Sequence, residues 1–336
     1  MRDGDIRKIR GKTMTIEVRE YKDADKADWE DFLKRSNNGT IFHSVDFLAY
    51  HQKDKFNENH LIFTKKGIII SILPAAIFYD NDGKKVLKSP YGASFGGFVT
   101  LTQITLKDSS AILDTFLEYL KHQEIEKVYL TNPPPIYCKI ANNYLDFCLI
   151  KNNFLYTKRE LTSVIPLHAI DEPLYFIKKR ARTSVRKAIK EGVSIAESDD
   201  YTAFYEILVE SKKKFEDIPT HSLDDLLTLK KLIPKRIKLF TAFLDEKPIA
   251  SAFLFICNEK AFLVFYICHL LNYEKYCPVN LLLYEVIKWG INQRFQYMDL
   301  GTSTVDMVPY WSLIDFKESF NSVGYFRDTL SINLKE

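Results

Sequence analysis

Two stretches concentrate the residues able to do chemistry. The first is KKRARTSVRKAIKEG, 178–192, which crowds Lys178, Lys179, Arg180, Arg182, Arg186, Lys187 and Lys190 onto one expected helix. Leu174, Ile177, Ala181, Val185 and Ala188 follow helical spacing and face a core, which sets Arg182 and Arg186 one turn apart on a neighbouring face. Two guanidinium groups so placed can clamp a phosphate through several N–H donors. The plainer reading is a solvated basic face. The second stretch is YMDLGTSTV, 297–305, followed by DFKESF, 315–320. A strand that carries Asp299 and opens through Gly301 into a loop with Ser303 places polar groups at a strand end, where sheets host ligands. Lys317 then falls between Phe316 and Phe320, so its stem can pack among apolar groups while the ammonium reaches inward. A surface lysine between two core aromatics fits the same spacing.

The elements that must hold these residues can be read from periodicity. The chain has 336 residues, 46% of them hydrophobic and 27% charged, which favours two globular domains over one. Met14 opens an ordinary folded sequence, and residues 1–13 read as a flexible basic extension. From Thr15 the order is β-α-α-β-β-α-β, ending at the strand Lys127–Leu130. From Pro173 the order recurs: a helix from Leu174 to Glu191 closed by Gly192, helices over 201–215 and from Ser222, and three strands within 237–268. A helix over 279–294, a buried strand over 297–300 and a final alternating strand over 326–334 complete it. Hairpins followed by a strand-helix-strand unit are unlike a doubly wound parallel sheet. Each half is expected to be a mixed α/β layer structure, a largely antiparallel sheet flanked by helices.

The net charge, 47 − 44 = +3, gives no general attraction to DNA or membranes, so any anion site must be local. No apolar run reaches the ~20 residues of a membrane span, and the charged start is not a secretory signal. A cytoplasmic protein is expected. The five cysteines form no CxxC pair and read as buried thiols, with neither a disulfide framework nor a metal site. HExxH, GxSxG, Walker and Rossmann patterns are all missing, which removes the usual support for hydrolase, NTPase and dehydrogenase chemistry.

IFHS…FL at 41–48, ASFGG at 93–97, RxxVRKAxKxGV at 182–193, PTHS at 219–222 and YxDLG…FKxSF at 297–320 together resemble the FemABX-like branch of the GNAT acyltransferase superfamily. The resemblance runs from about Met14 to the end. It implies two tandem GNAT-like domains, about 14–160 and 161–336. It also implies transfer of an acyl or aminoacyl group to an amine of a cell-envelope precursor or amino sugar, as in relatives of peptidoglycan-bridge type that use aminoacyl-tRNA. The acceptor's own amine would attack, the acceptor itself or a nearby carboxylate such as Asp299 would take its proton, and Lys317 would meet the tetrahedral oxyanion. The alternatives are an N-acyltransferase fed by acyl-coenzyme A or an acyl carrier, and a non-catalytic protein that keeps the fold. Asp299 could equally just cap the loop at Thr302 and Ser303.

The remaining site residues also come from the resemblance. Lys214, Thr220 and His221 would face the acceptor, though a loop histidine can simply order a turn. Tyr266, on the strand matching the GNAT central strand, would line the cleft, with a satisfied core tyrosine as the alternative. His51 stands where bridge-forming relatives place a lysine for nucleotide phosphates, and a neutral imidazole weakens that contact. The usual glycine-rich pyrophosphate loop should fall within 269–280, where there is no glycine. No tightly bound cofactor is expected; tRNA enters only as a possible donor.

Overall fold

A computed structural model describes residues 16–52, 55–213 and 217–335. The expected extension 1–13 lies outside them. The first half runs β1 (Ile16–Glu20), α1 (Lys26–Arg35), α2 (Val45–Leu48), β2 (Asn57–Glu58), β3 (Leu61–Lys65), β4 (Ile68–Leu73), β5 (Ala76–Tyr79), β6 (Lys85–Ser89), β7 (Val99–Thr100), α3 (Leu106–His122), β8 (Lys127–Thr131), α4 (Tyr144–Lys151) and β9 (Leu155–Pro166). The second begins with α5 (Pro173–Phe176), α6 (Lys179–Lys190), β10 (Ser194–Glu197), α7 (Tyr201–Lys213), α8 (Leu223–Leu232), β11 (Ile237–Leu244), β12 (Lys247–Ile256) and β13 (Ala261–His269). It ends with α9 (Pro278–Asn292), β14 (Tyr297–Thr302), β15 (Thr304–Val305), β16 (Val308–Pro309), α10 (Trp311–Glu318) and β17 (Val323–Asn333).

The caps follow the sequence signals. Ser44 accepts from the amides of Asp46 and Phe47 to start α2, and Ser222 and Asp225 form a reciprocal capping box at α8. The helix expected over 174–191 is instead two, because Ile177 and Lys178 are extended (ψ 149° and 154°) between α5 and α6. Ile177 is thereby driven into the core, fully buried. Of the cysteines, Cys148, Cys257 and Cys268 are buried as expected, whereas Cys138 and Cys277 are partly exposed because both sit in loops.

The sheet is where the halves meet. Eleven strands pair in the order β10-β11-β12-β13-β14-β9-β17-β8-β6-β5-β2, and β1-β3-β4-β7 form a separate four-stranded sheet. The strand pairs β13/β14 and β6/β8 are parallel, each joined by one long helix, α9 or α3. Those two matching units are the internal repeat. Between them the chain exchanges strands: β9, from the first half, pairs with β14, and β17, from the second, pairs with β8. The exchanged strands also pair with each other along nine registered positions, Val323↔Val164 to Ser331↔Leu155. The 160/161 boundary expected from sequence falls inside β9, which is a shared strand. Gly290 lets α9 lie close on the sheet, since a Cβ there would come within 2.8 Å of Leu167 and Phe262. No helix among the described residues is long and apolar enough to cross a membrane.

Side-chain bonds lock the halves as well. Asn258, in the β12–β13 turn, donates to the carbonyls of Tyr137 (2.8 Å) and Gly39 (3.3 Å) and accepts from the amides of Lys260 and Ala261. Asn258→Ala strands these groups, and we expect a loss of about 2–3 kcal/mol in urea unfolding. A change below about 0.5 kcal/mol, as for an ordinary surface substitution, would show that the strand exchange alone holds the halves.

Candidate active site

The parallel pair β13/β14 opens part-way. Registered partners run Ala261↔Tyr297 to Leu263↔Asp299 and stop, although β13 continues six residues to His269. β13 stays with β12, while β14 keeps β9 on its other edge as far as Thr302↔Thr162. The edge of Val264–Cys268 that faces β14 therefore carries backbone donors and acceptors with no strand partner among the described residues. A bulge at Phe265, where Phe253↔Tyr266 is followed by Leu254↔Val264, bends β13 at the same place. It turns Phe265 and Tyr266 to one side, their rings 4.7 Å apart edge to face. An unpaired, bent strand edge beside a diverging neighbour is a slot for an extended ligand with amide groups of its own.

The end of β14 is fixed from behind. Gly301 adopts φ +76°, a left-handed conformation that glycine takes without strain. The kink lets two successive carbonyls, Gly301 and Thr302, converge on the Lys317 ammonium at 2.9 Å each, with Ser303 Oγ at 3.0 Å. Ser303 Oγ also bonds Ser163 Oγ (2.7 Å). Lys317 is only 6% exposed and has spent all three N–H donors. Burial lowers its pKa to about 8, opposed by the nearby Asp299 charge and helped by Arg327. Lys317 thus lies between Phe316 and Phe320 with its ammonium turned inward, where it ties a strand end together.

Asp299 is fully buried. Its carboxylate accepts from Tyr137 Oη (2.8 Å), the Gly301 amide (2.8 Å) and Thr162 Oγ1. A carboxylate so enclosed cannot touch an acceptor amine, so the role of proton acceptor is withdrawn. Asp299 positions the loop, as its alternative reading had it, through Gly301 rather than through Thr302 and Ser303. Burial beside this charge pushes the Tyr137 phenol far above its ordinary pKa, so Tyr137 remains a donor.

A second cluster lies where α2 and the PTHS loop meet β13. His221 is 4% exposed, and its Nδ1 and Nε2 lie 2.9 Å from Tyr266 Oη and 3.1 Å from Tyr50 Oη. Tyr50 Oη donates to the Gly92 carbonyl (3.3 Å), so it accepts from Nε2–H; Nδ1 then accepts from Tyr266, which itself accepts from the His221 amide (3.1 Å). One tautomer thus satisfies the chain. Burial lowers His221 to about 4, and it stays neutral. His51 stacks on Tyr50 (centroids 4.0 Å) and donates from Nε2 to Gly92 O, and burial, with Lys55 nearby, lowers its pKa as well. It is no cation for a phosphate. Thr220 is exposed beside His221, and Lys214 lies outside the described residues.

Arg182 and Arg186 sit on α6 as expected, apart from both clusters in their contacts. Arg182 lies over the Tyr175 ring (5.3 Å) and reaches the Ile177 carbonyl at 3.4 Å, while Arg186 is exposed and unpaired among the described residues. At the start of α9, Pro278 has no N–H, and the amides of Asn280 and Leu281 bond to Cys277 O. Few donors are left there for a pyrophosphate. No group of three or more His, Cys, Asp or Glu among the described residues could hold a metal. Sequence reasoning missed Tyr50, Tyr137 and Arg327; the alternation of the last strand, which sets Arg327 and Thr329 on one face, was the available signal for the last.

Residues 177–311 match the family described as Acetyltransferase (GNAT) domain. The second half is thus similar to a GNAT acetyltransferase domain. The chain as a whole has the tandem fold of the FemABX-like branch of that superfamily. A crystal structure of FemX aligns with TM-score 0.72 at 12% identity, over 95% of this chain and 97% of that one. The C-terminal domain of a putative lysylphosphatidylglycerol synthetase from Agrobacterium fabrum aligns at 0.61 and 9% identity, covering 92% of each. A tandem GNAT protein from the clavulanic acid biosynthesis pathway aligns at 0.54 and 8%, over 95% and 98%. No curated protein matches this chain in sequence.

The neutral histidines set an acid limit on this fold. His43, His60 and His221 are each lowered by burial to about 4, below the 6.5 of the unfolded chain. Between those values the unfolded chain binds more protons, so stability is full above about pH 6.5 and falls as pH drops toward 4, by about 2 kcal/mol per histidine at pH 5. Urea midpoints across this range should show the loss, and His221→Gln should reduce it by about a third. A flat profile from pH 7 to 5 contradicts buried neutral imidazoles.

Proposed function

We propose that this cytoplasmic enzyme transfers an acyl or aminoacyl group to an amine of a cell-envelope precursor or amino sugar, by direct attack and without an acyl-enzyme. The observation that carries the reading is the opened β13/β14 pair with the Lys317 ammonium fixed at its end. The donor's acyl arm pairs with the free edge of Val264–Cys268. The acceptor amine, as free base, adds to the acyl carbonyl, and the oxyanion takes the Lys317 N–H now given to Ser303 Oγ, the one side-chain acceptor of the three. Collapse breaks the bond to the leaving oxygen or sulfur, which departs with the proton from the new ammonium.

Aminoacyl-tRNA is the favoured donor. The start of α9, with Pro278 and two amides already bonded, supports a donor not held by a pyrophosphate at that point. The FemX likeness points the same way, and Arg182 and Arg186 then meet donor or acceptor phosphates. An acyl-coenzyme A or acyl-carrier donor is the second reading, favoured by the GNAT family match. Incubation with charged tRNA, acyl-coenzyme A and acyl-carrier donors, read by mass spectrometry, decides between them: acceptor-dependent deacylation of one donor is expected, and none of any contradicts the reading.

With the donor known, turnover should fall as pH rises through about 8, where Lys317 loses its charge. Lys317→Met should lower turnover by about 10²–10³ and abolish that limb, while Lys317→Arg keeps the charge and moves the limb beyond reach. An unchanged pH profile in Lys317→Met would assign the lysine to structure alone.

A further inference from the structure

One face of the central sheet, where β6, β8, β17 and β9 run side by side, forms a cavity of about 760 Å³. Its wall includes Lys88, Thr131, Thr329 and Arg327, and the Lys317 loop contributes Thr302. Arg327 is the anomaly. It makes no hydrogen bond or ion pair among the described residues, its Nε is shut off from solvent without a partner, and its guanidinium lies over the Phe95 ring at 5.5 Å.

The acids around it are otherwise engaged. Glu160, its register partner across β9/β17, accepts from Thr304 Oγ1 and the Met307 amide (3.3 Å). Asp299 has its three donors, Asp328 holds Arg159 (2.9 Å) and Asp80 holds Lys127 (2.7 Å). Lys88 also lacks an acid; its ammonium lies over the rings of Phe78 (4.9 Å) and Tyr129 (6.0 Å). A planar fork of five donors kept unpaired against a chamber of hydroxyls and a second free cation matches a carboxylate or a phosphate. Buried polar groups are normally satisfied, so one left open in a cavity marks a place for a ligand.

We propose that this cavity binds a carboxylate or phosphate group of the acceptor, held by the Arg327 fork and by Lys88. Thr302 gives its side of the loop to the cavity wall and its carbonyl to Lys317, so an acceptor anchored here lies against the strand end where transfer takes place. Naming the ligand as the acceptor rests on the acyl-transfer reading; binding itself does not.

Calorimetric titration of the full chain with inorganic phosphate and with succinate, at low ionic strength and without any donor, separates the two. Saturable one-to-one binding of at least one probe is expected, and the tighter probe identifies the anion. Arg327→Met should weaken it tenfold or more and Lys88→Gln a few-fold, while the unliganded Arg327→Met protein unfolds at a urea midpoint equal to or above that of the parent, since an unpaired charge has been replaced by an apolar chain. Arg327→Lys, which keeps the charge but not the fork, should bind in between and carries the test if Arg327→Met does not fold. Absence of saturable binding to both probes, or unchanged binding in either Arg327 variant, overturns the site. Intact binding in a protein that transfers no acyl group overturns the proposed reaction and leaves the site standing.

Discussion

The separation of β14 from β13 after Leu263 and Asp299 is the constraint on which the rest of the site depends. Parallel neighbours gain a hydrogen bond at each step of pairing, so a pair that stops while one strand continues must be held apart. Three interactions do so. The bulge at Phe265 bends β13 away, Asp299 seizes the Gly301 amide so that the chain kinks, and Lys317 gathers the two carbonyls beyond the kink. A buried ammonium is tolerated there because every N–H has an acceptor. The same burial brings its pKa to a range useful for chemistry, so structure and reactivity come from one arrangement.

The exchange of β9 and β17 explains why this geometry needs both halves. β14 is held on its other edge by β9, from the first half, over the same residues that pair with β13 and on to Thr302↔Thr162, so it keeps one partner after the pair opens. Tyr137, also from the first half, reaches across to Asp299, and Tyr50 does the same toward His221. The tandem repeat is thus an assembly in which each unit completes the other's sheet, and the cavity at Arg327 lies along the seam.

Much of this was legible in the sequence where the signal is local. Ser44 and Ser222 announce their helices, the hairpin strands between Ile237 and Cys268 read as apolar β-branched runs, and the repeated order of elements gives the tandem architecture. Pairing partners are not local, so nothing near Leu155–Pro166 marks β9 as a strand given to the other half. Helical spacing from Leu174 to Ala188 conceals the break at Ile177, because an extended residue can bury its side chain on the same side. Asp299 shows the limit for chemistry: an acid at a strand end has the same sequence signature whether it meets substrate or holds a loop, and only its three donors decide. Arg327 was passed over because one arginine in a strand is ordinary until its neighbours prove to be engaged elsewhere.

Amide hydrogen exchange across β13 tests the central claim most directly. Docking of the acyl arm along the free edge predicts that the donor from which the protein transfers its acyl group slows exchange within Val264–Cys268, while the β11–β12 pairing stays as it was. Donor binding that leaves Val264–Cys268 unchanged and protects another segment instead would contradict the opened strand pair as the place where transfer occurs.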